Sequence, residues 1–132
     1  MNTWKQLYAM IWLAFLEIVL IAIDVPGFKT YLVYGHSLLG LVILILAYYN
    51  NAQIRKTEAP SRLKRIVKST AGLATLQIIF GIISFLYVVH AIEIPFVGVV
   101  TILHLMTALA IITQASSVAT AYDMWEEKEY TK

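Results

Sequence analysis

Four long apolar stretches alternate with short polar breaks along the chain. They run over about 7–23, 32–49, 71–89 and 97–121, each close to the roughly 20 residues that carry a helix across a bilayer core. Trp4 and Tyr8 lengthen the first stretch into the interface. No alternation of period two is present, which argues against a β-barrel and for helices. With their flanks, the helices are expected over about 5–24, 31–50, 70–90 and 97–121. Asp24-Val25-Pro26-Gly27 separates the first two, and a short link over 91–96 with Pro95 separates the last two; both carry turn chemistry. The middle link, 51–69, is polar and basic and contains Pro60. Links this short make helices 1 and 2, and helices 3 and 4, antiparallel neighbours. The predicted fold is therefore an all-α membrane protein with a single domain spanning 1–132. Its architecture is an antiparallel four-transmembrane-helix bundle made of two similar helical hairpins.

Composition sharpens this picture. The 132 residues are 60% hydrophobic and 14% charged, with a mean hydropathy of +0.75. A soluble domain is about 45–50% apolar and about 25% charged. The chain is thus neither an ordinary soluble enzyme, nor a disordered tail, nor a nucleic-acid binder. It has no cysteine, which removes disulfides, thiolate metal sites, iron–sulfur clusters and covalent c-type haem attachment.

Net charge is only +2, but its placement is informative. Arg55, Lys56, Arg62, Lys64, Arg65 and Lys68 crowd the middle link; with Lys5, Lys128 and Lys132 they make nine of the ten basic residues, Lys29 being the tenth. The excess of Lys and Arg on cytoplasmic loops predicts both termini and the middle link inside, in a multi-pass protein of a prokaryotic plasma membrane. The first span lacks a convincing basic lead and a small-residue cleavage site, so it is expected to stay as a helix. Trp4, Tyr48, Tyr49, Tyr122 and Trp125 fall near the predicted cytoplasmic boundary, as an interfacial aromatic belt would. Glu126-Glu127-Lys128-Glu129 is a solvated helix end or a docking surface.

Each second helix of a hairpin carries one intramembrane histidine, followed four residues later on the same face by a small residue. These are His36 with Gly40, and His104 with Ala108. Counted from the outer ends at about 1.5 Å per residue, the two histidines reach nearly the same depth. A bis-histidine b-type haem suits such a pair, with Gly40 and Ala108 leaving flat space beside the ligands. A non-haem metal site or proton relay, and plain interhelical hydrogen bonds, are the other readings. His90 ends helix 3 and is expected at the outer interface. Glu17 lies at almost the depth of the histidines, where a carboxylate costs about 2.5–3.5 kcal/mol on insertion scales. It is a candidate to orient a ligand, carry protons or act as a catalytic base, or else to form an interhelical bond. Gln77 and Gln114, with Ser116 and Ser117, are expected to supply hydrogen bonds between helices.

The run Leu76-Gln77-Ile78-Ile79-Phe80-Gly81, then Ile94-Pro95-Phe96, then His104-Leu105-Met106-Thr107-Ala108-Leu109 resembles a four-helix half of the heme A synthase family. Helix 2, from His36 through Gly40 and Leu41, is similar to the family's second helix. The resemblance covers about residues 31–115. It implies a four-helix bundle in which His36 and His104 are opposite axial ligands of haem, with oxidoreductase chemistry if the chain is catalytic.

The departures narrow that implication. The family's catalytic glutamate, three residues before the helix-2 histidine, is Val33 here, and its following arginine is Ser37. Outer-loop cysteines are absent, and the end of helix 1 lacks the family's glycine-, arginine- and threonine-rich signature. The expectation is therefore the haem-b-holding half, with redox or haem-modification chemistry. Bilayer lipid is an expected partner, together with a homo-oligomer or a larger respiratory membrane complex. The alternative is a small accessory subunit of a respiratory oxidase or other membrane complex, with or without haem. A small transporter has less support, because no helix core is broken by Pro-Gly pairs.

Overall fold

The computed structural model describes residues 3–23 and 25–130; Asp24 and Lys132, used above, lie outside the described residues. Four helices follow one another: α1 (Thr3–Ala22), α2 (Lys29–Arg55), α3 (Ser61–Val88) and α4 (Val97–Tyr130). All four are long and apolar enough to cross a membrane. They form a ring in chain order. α1 packs on α2, α2 on α3, α3 on α4 and α4 on α1, while the diagonal pairs make no close backbone contact among the described residues.

The turns are legible residue by residue. Between α1 and α2 the Phe28 N–H donates to the Val25 carbonyl at 3.0 Å, and Gly27 has φ of 81°. Proline followed by a residue of positive φ is the type II β-turn, which is why position 27 is glycine. α3 ends differently. The His90 N–H bonds to the Tyr87 carbonyl at 3.0 Å and the Ala91 N–H to the Leu86 carbonyl at 2.9 Å. That pair of bonds is a Schellman cap, and it places His90 at φ 56°, where glycine is the usual occupant. His90 is exposed, at the bundle end where it was expected.

The middle link is shorter than the hydropathy pattern predicts. Instead of spanning 51–69 it is confined to 56–60, because α2 continues to Arg55 and α3 begins at Ser61. Hydropathy marks where a helix leaves lipid, not where it ends. Both extensions stay helical because they carry an apolar stripe: Ile54, Leu63 and Val67 are buried against Leu7, Val118 and Tyr122. α4 likewise runs beyond position 121 to Tyr130, so the acidic run is a helix end. Tyr122 is 3% exposed and belongs to this core and not to a lipid-facing belt.

Small side chains set the spacing of the middle of the bundle. Ala14, Ala47, Ala71, Ala74 and Ala115 are buried there beside Met10, Ile43 and Ile111. Lipid tails are as apolar as leucine, so close approach through small residues and dispersion holds such helices together. Large apolar side chains such as Trp12, Leu38 and Ile45 point outward, as a bilayer requires.

The buried positions expose an internal repeat. Leu7, Met10, Ala14 and Glu17 on α1 correspond to Val67, Thr70, Ala74 and Gln77 on α3, and all eight are buried. On the second helices, His36, Gly40, Ile43 and Ala47 correspond to His104, Ala108, Ile111 and Ala115. The two hairpins are thus copies in packing as well as in connectivity.

Candidate functional site

The repeat brings four polar side chains together toward the end of the bundle where α3 joins α4. His36 on α2 and His104 on α4 sit on diagonal helices, yet their rings meet across the interior, with centroids 6.0 Å apart and planes at 65°. Each histidine touches the first helix of its own hairpin. On one side that contact is Glu17; on the other it is Gln77, a side chain of the same shape without the charge.

The His36 Nδ1–H donates to the main-chain carbonyl of Glu17 at 3.1 Å. That bond fixes the tautomer and leaves Nε2 unprotonated. The Glu17 carboxylate oxygen lies 3.7 Å from His36 Nε2, too far for a hydrogen bond. Glu17 is 7% exposed. Its carboxylate occupies the space of a missing Cβ: one built on Gly40 would meet Glu17 Oε1 at 2.8 Å.

On the opposite side the Gln77 side chain reaches His104 Nε2, with 3.2 Å between the two nitrogens. The Thr107 hydroxyl holds the other end of that amide and also reaches the Leu103 and His104 carbonyls at 3.0 and 2.9 Å. One hydroxyl proton cannot serve all three acceptors. The Thr107 hydroxyl donates to the Gln77 carbonyl, and the Gln77 amide N–H donates to His104 Nε2. His104 Nδ1 is buried and has no hydrogen-bond partner. Gly81 makes room for this ring, since a Cβ there would meet His104 Cε1 at 3.3 Å.

Each imidazole is therefore held through one ring nitrogen, His36 by Nδ1 and His104 by Nε2. Histidines that bind metals are held in this way by carbonyl or amide partners. Metal–nitrogen bonds of about 2 Å on each side, plus the ring radii, put two centroids about 6 Å apart. The ring separation thus matches a bis-imidazole iron, while His36 Nε2 lies beside Glu17 Oε1 and His104 Nδ1 lies beside Gly81. Among the described residues no group of three or more His, Cys, Asp or Glu converges as a metal site.

Room is tighter than the donors suggest. The adjoining cavity, bordered by Glu17, Gly40, Ala74, Gln77 and Ala108, measures about 10 Å³, close to the least that holds one water. A porphyrin needs the helices to part. Gly40 and Ala108 border this cavity as expected, but Gly40 yields its space to a carboxylate and not to a flat ring.

Gln77 was expected to be packing glue, and its place on His104 went unpredicted. Its spacing from Val67, Thr70 and Ala74 matches that of Glu17 from Leu7, Met10 and Ala14, which is the signal that finds it. Gln114 does act between helices: it accepts from the Thr70 hydroxyl at 3.1 Å. Ser116 and Ser117 bond back to their own helix at Ile112 and Thr113. His90 does not join the site. No family model, curated protein or solved structure matches this chain.

Proposed function

We propose that this chain is a membrane haem-binding protein in which His36 and His104 are the axial ligands of one b-type haem. The observation that carries the reading is the facing of two imidazoles across the bundle, 6.0 Å apart, each pinned through one ring nitrogen. The bound haem would supply one-electron redox chemistry. Glu17 orients His36 through its carbonyl and brings an acidic side chain beside the ligand. Gln77 and Thr107 orient His104 without adding charge, so the two faces of the site differ electrically. The lipid-facing apolar shell excludes water.

A single histidine pair holds one haem at a time, and Val33 offers no carboxylate. The proposed activity is accordingly haem holding and electron transfer, not stand-alone heme A synthesis. The proposed setting is a prokaryotic plasma membrane with both termini cytoplasmic, in a homo-oligomer or a respiratory complex. The small cavity favours one second reading: an accessory subunit of such a complex, with the histidines serving as interhelical polar contacts.

Absorption spectroscopy of the purified protein, expressed with haem supplied, separates the two. The haem reading expects a Soret band of low-spin type. His36→Ala and His104→Ala each lose an axial ligand and retain haem poorly, whereas His90→Ala keeps the wild-type spectrum. A protein with no Soret absorption refutes the haem reading, and co-purification with an oxidase then supports the accessory one.

A further inference from the structure

The basic residues of the α2–α3 hairpin are not spread evenly around the bundle. Arg62, Arg65 and Lys68 are exposed, and steps of three residues keep them within one side of α3. They cover about 9 Å of helix rise, the depth of a headgroup layer. The same side of α3 continues into the membrane as Gly72, Leu76 and Ile79, all exposed. On α2 a matching exposed stripe runs Leu41, Ile45, Tyr48, Ala52 and Arg55.

The two stripes are neighbours. α2 packs on α3, and the Tyr48 and Thr75 hydroxyls bond across the seam at 2.9 Å. At Gly72 an added Cβ would meet nothing within 4 Å, so the surface there is open. Apolar stripes thus lead from the bilayer core directly up to four cationic side chains.

The other faces at this end lack this pattern. α1 offers Lys5, and the end of α4 carries Asp123, Glu126, Glu127 and Glu129 around Lys128. Lys64 is turned inward to cap the hairpin, donating to the Thr57 carbonyl. A topology determinant needs positive charge on one side of the membrane, but not on one lipid-facing sector. Of the five exposed cations of the hairpin, Arg55, Lys56, Arg62, Arg65 and Lys68, three are arginines, whose planar guanidinium matches phosphate oxygens in pairs.

We propose that the α2–α3 face binds an anionic phospholipid. Arg55, Arg62, Arg65 and Lys68 hold its phosphate, and its acyl chains lie along the exposed apolar stripes. The site is independent of haem and lies at the opposite end of the bundle from the histidines.

Native mass spectrometry of the full chain in mild detergent tests this, using equimolar phosphatidylglycerol and phosphatidylcholine with identical acyl chains. Wild type is expected to retain phosphatidylglycerol preferentially. R62Q/R65Q/K68Q loses that preference by about fivefold per charge removed, R62K/R65K keeps most of it, and K5Q and K128Q leave it unchanged. Circular dichroism checks that each variant is folded, and the single variants R62Q and R65Q carry the test if the triple is not. Equal retention of the two lipids by wild type overturns the proposal. So does an equal loss in K128Q, or displacement of the lipid by excess glycerol phosphate, which marks a site for soluble phosphate.

Discussion

Gly40→Ala is the sharpest probe of the polar cluster, because its effect depends on one neighbouring atom. The new Cβ would stand 2.8 Å from Glu17 Oε1 and 3.5 Å from Ile78 Cδ1. The first distance is inside van der Waals contact, and the buried carboxylate has His36 beside it and little room to withdraw. Overpacking of this kind costs about 1–3 kcal/mol, against a helix-propensity gain of about 1 kcal/mol for alanine over glycine. The net expectation runs from no change to a loss of about 2 kcal/mol. Gly72→Ala meets nothing within 4 Å and is expected to gain up to about 1 kcal/mol.

The cycle closes with Glu17→Ala. Once the carboxylate is gone, the Cβ at position 40 meets only Ile78 at ordinary contact distance, so Gly40→Ala becomes neutral or stabilising. The coupling between positions 17 and 40 is then about 1–3 kcal/mol. Unfolding in mild detergent by titration with sodium dodecyl sulfate, followed by circular dichroism, measures all four corners. If Gly40→Ala has the same effect with and without Glu17, the placement of that carboxylate is refuted.

Three further outcomes follow from features at other points of the chain. Single cysteines at Val25 and Glu58, both exposed, are expected to label from outside and only after permeabilisation, respectively; the reverse pattern overturns the proposed orientation. His90→Gly relieves a left-handed φ that costs an ordinary residue about 1–2 kcal/mol, offset in part by glycine's chain entropy; a rise of about 1 kcal/mol in unfolding free energy is expected with an unchanged haem spectrum. Glu17→Gln makes the two hairpins alike at the site, and in the haem-loaded protein it is expected to shift the midpoint potential in a redox titration. Haem A that accumulates with a haem O source, and disappears in Glu17→Gln, would instead make Glu17 catalytic.

Much of the architecture was legible because membrane helices announce themselves by length and hydropathy. The type II turn was readable too, since Pro26-Gly27 admits few other conformations. Helix ends at the water side were not readable: Asn50, Asn51, Gln53 and Arg55 read as a link, while the stripe that keeps them helical depends on what Ile54 packs against. The histidine pair was visible from the repeated spacing on α2 and α4. The companion repeat on α1 and α3 pairs leucine with valine and methionine with threonine, so its spacing is present in the sequence while its chemistry is not alike, and burial is what makes it plain. Gly40 shows a different limit. Sequence says that space is reserved there, but not which neighbour fills it.

The ring arrangement of the helices has a mechanical consequence. A four-sided frame whose backbones meet only along its edges resists stretching there, while its diagonals are spanned by side chains alone. α1 and α3 make no close backbone contact with each other, nor do α2 and α4, so a shear of the square toward a lozenge would leave the four neighbouring pairs as its seams. Such a deformation lengthens one diagonal as it shortens the other. The imidazoles ride at opposite corners, and their separation is the gauge of that shear. A flat guest between them, as the proposed haem would be, would have to lengthen that diagonal while the four seams stay packed.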